Sequence, residues 1–65
     1  MQITVNGKNR EINDGTTVAE LIKELSLNGP LAVEINRDIC PKSRHPEIHL
    51  KQGDVLEIVT IVGGG

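Results

Sequence analysis

The chain has 65 residues, a formal net charge of −2, 37% hydrophobic residues and no aromatic side chain. That length holds one domain, whose core must come from Ile, Leu and Val; the mild negative charge and the lack of rings argue against a nucleic-acid surface. Cys40 is the only cysteine, which excludes an internal disulfide and fits a reducing cytoplasm.

The first five residues are neither a basic region nor a long apolar run, so no signal peptide and no membrane span are expected. Ile3 and Val5 alternate with Gln2, Thr4 and Asn6, the period of a half-buried strand. Asn6-Gly7 is a hairpin signal, because both residues tolerate positive φ. A second strand returns through Arg10 and Ile12, and Asp14-Gly15 ends it.

Thr17 and Glu20 have capping-box spacing. Val18, Leu21, Ile22 and Leu25 follow as one apolar helix stripe, with Glu20, Lys23 and Glu24 turned away. Asn28-Gly29-Pro30 is the expected stop, giving a helix of about ten residues that needs a sheet to pack on. Leu31, Val33 and Ile35 give a third strand, Asn36-Arg37-Asp38 a turn, and Ile39-Cys40 a short edge segment ended by Pro41. Residues 41–46 read as a loop or one helical turn, Ile48 and Leu50 as another short strand, and Gln52-Gly53-Asp54 as a turn. Val55 to Val62 is the longest strand signal. The order implies an α+β domain over 1–62, one sheet covered by one helix, with the first and last strands able to pair in parallel.

Conventional catalytic groups are sparse. There is no tyrosine. Ser43 and His45 share a loop without an oxyanion motif. Cys40, His45 and His49 match no closed zinc spacing, so no metal is expected; the reading is a buried or edge cysteine beside surface histidines. No phosphate-binding glycine loop is present, so no bound cofactor is expected.

The last strand has two sets of side chains. If Leu56 and Ile58 face the helix, Val59 and Ile61 face out beside Glu57. Gly63-Gly64-Gly65 follow at once. Glycines there pack nothing, but they form an unhindered arm. Four extended residues from Val62 to Gly65 reach about 13 Å, enough to bring the last carbon into another protein's active site.

Taken together, Asn6-Gly7, Asp14-Gly15-Thr16-Thr17-Val18 with Leu21, Val33-Glu34-Ile35-Asn36, Ile39-Cys40-Pro41, Gln52-Gly53-Asp54 and the final Gly64-Gly65 resemble the thiamine-biosynthesis sulfur carrier family. The resemblance covers nearly the whole chain. It implies a ubiquitin-like β-grasp fold, with a four- to five-stranded mixed sheet covered by one helix, and a flexible tail over 63–65. It also implies that the chain is a protein co-substrate rather than an enzyme. A ubiquitin-activating-type adenylyltransferase would use ATP and Mg²⁺ to adenylate Gly65. Sulfur from a persulfide donor, reached through that partner, would convert the acyl adenylate to a thiocarboxylate, and thiazole synthase would receive the sulfur. Under this resemblance Gly65 is the carrier atom's residue, Gly64 keeps the approach clear, and Gly63 adds slack. Glu57, Val59 and Ile61 are the expected docking residues, Cys40 is not the carrier, and a monomer is expected. The small subunit of molybdopterin synthase, a ubiquitin-like protein modifier joined to lysine through Gly65, and a plain binding module stay open as alternatives. The short chain and missing aromatics favour the thiamine branch.

Overall fold

Two tight turns set the register of the sheet. In the computed structural model, which describes residues 1–61, β1 (Gln2–Val5) and β2 (Lys8–Glu11) pair antiparallel through Val5↔Lys8 and Gln2↔Glu11. The two residues between them, Asn6 and Gly7, have φ of 50° and 81°. That is the left-handed geometry a two-residue hairpin requires. A second such turn, Asn36-Arg37, joins β3 (Leu31–Ile35) to β4 (Asp38–Cys40) with φ of 50° and 75°. The last strand, β5 (Val55–Thr60), enters between the two hairpins. It pairs parallel with β1 and antiparallel with β3, giving a five-stranded mixed sheet in the order β2-β1-β5-β3-β4. The parallel pairing of first and last strands is present, and β4 is the expected edge.

One helix, α1 (Val18–Glu24), lies over one face. Its stripe sends Val18 and Leu21 into a cluster with Ile3, Val33, Leu56 and Ile58, all buried. Ile22 and Leu25 close its margin. Cys40 and Leu50 are also in this cluster, so the cysteine is the small core residue expected from the sequence.

The helix has seven residues, shorter than the ten expected, and ends before Asn28-Gly29-Pro30. Ser26 takes the left-handed position at φ 57°, where glycine is the usual occupant. Its N–H donates to the Lys23 carbonyl at 3.0 Å, and Leu27 N–H to that of Ile22 at 3.3 Å, which together close a Schellman turn. A serine in a glycine role hid the stop.

Ile48 and Leu50 are not a strand of the sheet. His49 makes only an isolated bridge to Thr17. The segment serves the helix start instead. Val18 N–H donates to the Ile48 carbonyl at 3.0 Å and Ala19 N–H to that of His45 at 3.1 Å. The Thr17 hydroxyl accepts from Glu20 N–H at 3.1 Å, and the Thr17 carbonyl accepts from Leu21 N–H at 3.0 Å. The Leu21 bond is the first ordinary helix bond. The four donors that a helix start otherwise leaves open are those of Val18, Ala19 and Glu20, bonded in this way, and of Thr17, which donates to the Glu20 carboxylate. Residues 41–46 contain a single 3₁₀ turn, Lys42–Arg44.

The Glu20 carboxylate closes the capping box by accepting from Thr17 N–H at 2.8 Å and from its hydroxyl. Those bonds, the backbone one foremost, hold its carboxyl below the ordinary range. A folded value below the unfolded one stabilises above the unfolded carboxylate range, and this contribution is lost as pH falls through the folded value. Thr17→Ala is therefore expected to cost about 1 kcal/mol in urea unfolding near neutral pH. Glu20→Ala is expected to destabilise at neutral pH, with the gap to wild type closing in acid. A gap that widens in acid would contradict the box.

Candidate functional site

The tail expected to carry the chemistry, 63–65, lies outside the described residues, as does Val62. What the structure gives is its mounting. β5 is the middle strand, and both of its edges are occupied. Along β3 the pairs run Ile35↔Leu56, Glu34↔Glu57, Val33↔Ile58, Ala32↔Val59 and Leu31↔Thr60. Beyond them Ile61 N–H donates to the Pro30 carbonyl at 2.9 Å, so backbone anchoring continues to the last described residue.

The opposite edge is held differently. β1 ends at Val5, too early to pair the second half of β5. Asn6 extends it. Its N–H donates to the Leu56 carbonyl at 2.9 Å. Its side-chain Oδ1 accepts from Ile58 N–H at 2.8 Å, and its Nδ2 donates to the Ile58 carbonyl at 3.1 Å. The amide thus does the work of one more strand residue. Asn36 does the same at the start of β5: its N–H donates to the Val55 carbonyl at 2.7 Å, and its Oδ1 accepts from Val55 N–H at 3.0 Å. Its Nδ2 donates to the buried Asp54 carboxylate at 3.1 Å, whose other oxygen accepts from Lys51 N–H at 2.8 Å. Both asparagines stand at the first left-handed position of a hairpin turn, where a short polar side chain is tolerated.

Side chains along β5 divide as the alternation requires. Leu56 and Ile58 are buried beneath the helix, while Val55, Glu57 and Val59 face away from it. Val59 keeps 60% of its surface exposed, Ile61 53%, and Ile39 on β4 77%. The three residues singled out for docking are therefore all exposed. Two more join them that the sequence reading passed over. Glu34 is paired directly with Glu57, and Ile39 is paired with Glu34. Alternation put Glu34 on an outer face, but only the strand order shows whose neighbour it is.

The alternative chemical groups are accounted for within the fold. His45 is buried, not on the surface as expected, and its Nε2 donates to the Cys40 carbonyl at 3.2 Å. The expectation failed because 41–46 reads as polar loop, whereas the 3₁₀ turn rolls His45 under the helix start. His49 is exposed. Burial pushes the Cys40 thiol up from its ordinary range, which makes it a poor nucleophile. Among the described residues, no three His, Cys, Asp or Glu gather as a metal site, and no helix is long and apolar enough to cross a membrane.

A five-stranded mixed sheet grasping one helix, with its middle strand leading into Gly63-Gly64-Gly65, defines a ubiquitin-like β-grasp domain. The crystal structure of a thiamine biosynthesis protein (ThiS) from Geobacter metallireducens has the same fold, with a TM-score of 0.85 and 29% identity, each chain covering 100% of the other. The sequence model of the ThiS family matches residues 3–65, and the chain belongs to that family, the sulfur carriers of thiamine biosynthesis. The sulfur carrier protein ThiS of Bacillus subtilis is 37% identical over 65 residues, covering 97% of this chain and 98% of that protein. A thiazole synthase of Paramagnetospirillum magneticum is 39% identical over 66 residues; the match takes in 100% of this chain, which spans 20% of that protein's length.

The asparagine brace can be tested apart from function. Asn6→Gly keeps the left-handed backbone and deletes only the amide, leaving the Ile58 N–H and carbonyl without that partner. It is expected to cost about 1–3 kcal/mol in urea unfolding and to speed hydrogen exchange at Ile58. Unchanged stability would show that the amide does not hold the strand.

Proposed function

We propose that the Gly65 carboxylate is the sulfur-carrying group of this chain. The observation that carries the reading is the family match through residue 65, on a fold that holds β5 by its backbone as far as Ile61. A carboxylate is a poor electrophile. On a partner adenylyltransferase its oxygen attacks the α-phosphorus of Mg²⁺-bound ATP, and pyrophosphate leaves. The terminal sulfur of a persulfide then attacks the acyl carbon, and AMP leaves. Cleavage of the sulfur–sulfur bond by a second thiol releases the thiocarboxylate. Its sulfur is the nucleophile delivered to thiazole synthase. Need for ATP, Mg²⁺ and reducing thiols puts the reaction in the cytoplasm.

This chain supplies no catalytic side chain in that scheme. Gly65 bears the carbonyl carbon. Gly64 has no Cβ to crowd the channel, and Gly63 lengthens the arm. Val59 and Ile61 form the apolar docking surface, with Glu57 beside them as its charged member. Docking fixes the domain, and the arm then brings Gly65 to the nucleotide as an effectively intramolecular reactant. Cys40 takes no part, because its thiol is buried and hard to ionise. The chain acts as a monomer that visits its partners in turn.

Incubation with the adenylyltransferase, ATP, Mg²⁺ and a persulfide donor is expected to raise the intact mass by the difference between sulfur and oxygen. The Cys40→Ala variant should load equally. Gly64→Val is expected to load about 100-fold more slowly, because a small displacement of the reacting carbon is enough to cost that much, with an unchanged melting temperature. No mass gain in wild type, or loss of loading in Cys40→Ala alone, would contradict the scheme.

A further inference from the structure

The outer face of the sheet contains an arrangement that folding does not favour. Glu34 and Glu57 are direct cross-strand partners in the middle of the sheet, both exposed on the same face. Like charges directly opposite each other on neighbouring strands destabilise the pair. The ion pairs among the described residues are Met1 with Glu11 and Asp14, Arg10 with Glu24, and Arg44 with Glu47, so neither Glu34 nor Glu57 has a cationic partner. Arg37 lines the same shallow hollow, with Asn36 and Val55, yet forms no ion pair with either carboxylate.

The surroundings of the pair are apolar. Ile39 stands beside Glu34 on β4, and Val59 with its partner Ala32 stands one step along β5 and β3. Val55 stands one step the other way. Two carboxylates framed by aliphatic side chains match a guanidinium or ammonium on an aliphatic stem. The stem lies on the valines and isoleucine while the head takes the carboxylates. The same face runs on through Val59 to Ile61, four residues before Gly65. Four extended residues span about 13 Å, so Gly65 is within reach of an enzyme docked on this face.

We propose that the Glu34–Glu57 pair is an acidic clamp for an arginine or lysine projecting from the adenylating partner. This rests on the carrier reading above and deepens it. The partner is assigned on charge. An enzyme that brings a carboxylate up to ATP must gather positive charge around its nucleotide, and its entrance is complementary to a carrier of net charge −2 with paired carboxylates at its centre. Repulsion within the pair is relieved only on binding, so the clamp lowers the stability of the free carrier and raises its selectivity for the complex.

The test measures adenylation kinetics with the enzyme and ATP for wild type, Glu34→Gln, Glu57→Gln and the double variant. Glu47→Gln serves as a charge control away from the strands. Direct calorimetric titration of the same enzyme reads the surface without chemistry. The clamp predicts a KM raised about tenfold in the double variant, as loss of a close charge pair at an interface does, with kcat within about twofold. It also predicts a weaker salt dependence of binding and a melting temperature equal to or above wild type. Glu47→Gln should match wild type. KM and titrated affinity unchanged in the double variant would overturn the clamp while leaving the carrier reading intact. Failure of wild type itself to be adenylated would strike the carrier reading, and the titration would still decide the clamp. Weakened transfer to thiazole synthase with normal adenylation would move the clamp to the other partner and overturn the assignment made here.

Discussion

A strand in the middle of a sheet is held on two sides, and the strand that leads into Gly63-Gly64-Gly65 is placed there. β5 meets β3 from Leu56 to Thr60, but β1 is too short to match it. The Asn6 amide supplies the missing rung by bonding both backbone groups of Ile58, and the Asn36 amide supplies another at Val55. Both asparagines can do so only because a left-handed turn aims each of them at the strand. The two hairpins therefore have a second task beyond reversing the chain. They brace the strand that leads into Gly63-Gly64-Gly65.

That constraint divides the labour of the molecule. The inner face spends the aliphatic residues: Leu56 and Ile58 under Val18 and Leu21 make a core without a single ring. The segment after β4 is drawn away from the sheet to complete the helix start, with Ile48 and His45 giving their carbonyls to Val18 and Ala19. What is left over is the outer face. It holds exposed valines and isoleucines and a repulsive glutamate pair, features that neither burial nor hydrogen bonding explains. Stability is built on one side of β5, and under the proposal recognition falls to the other.

Much of this was legible from residue order. Alternation in Ile3–Val5, Leu31–Ile35 and Val55–Val62 located the strands, the last of which the structure ends at Thr60. Thr17 and Glu20 located the helix start, and Asn6-Gly7 located the first hairpin. The length of the last strand and its outward Val59 and Ile61 followed from the same period, while its central seat did not. The failures have physical causes. Ser26 does what a glycine normally does, so the helix stops early without the usual mark. Ile48 and Leu50 alternate like a strand, but helix capping claims their backbone. His45 looked exposed because local polarity does not report that a 3₁₀ turn tucks it inward. The bracing role of Asn6 and Asn36 and the facing of Glu34 with Glu57 depend on which strands become neighbours. No local pattern contains that.

The central claim is that the fold recognises and presents, while Gly65 alone reacts. One appended residue separates the two. A variant with a single alanine after Gly65 keeps every described contact and moves the carboxylate off the glycine. It is predicted to melt like wild type and to bind the adenylating enzyme with similar affinity, yet to gain no sulfur in intact-mass measurement. Normal sulfur loading of that variant, or loss of its binding along with its loading, would contradict the account.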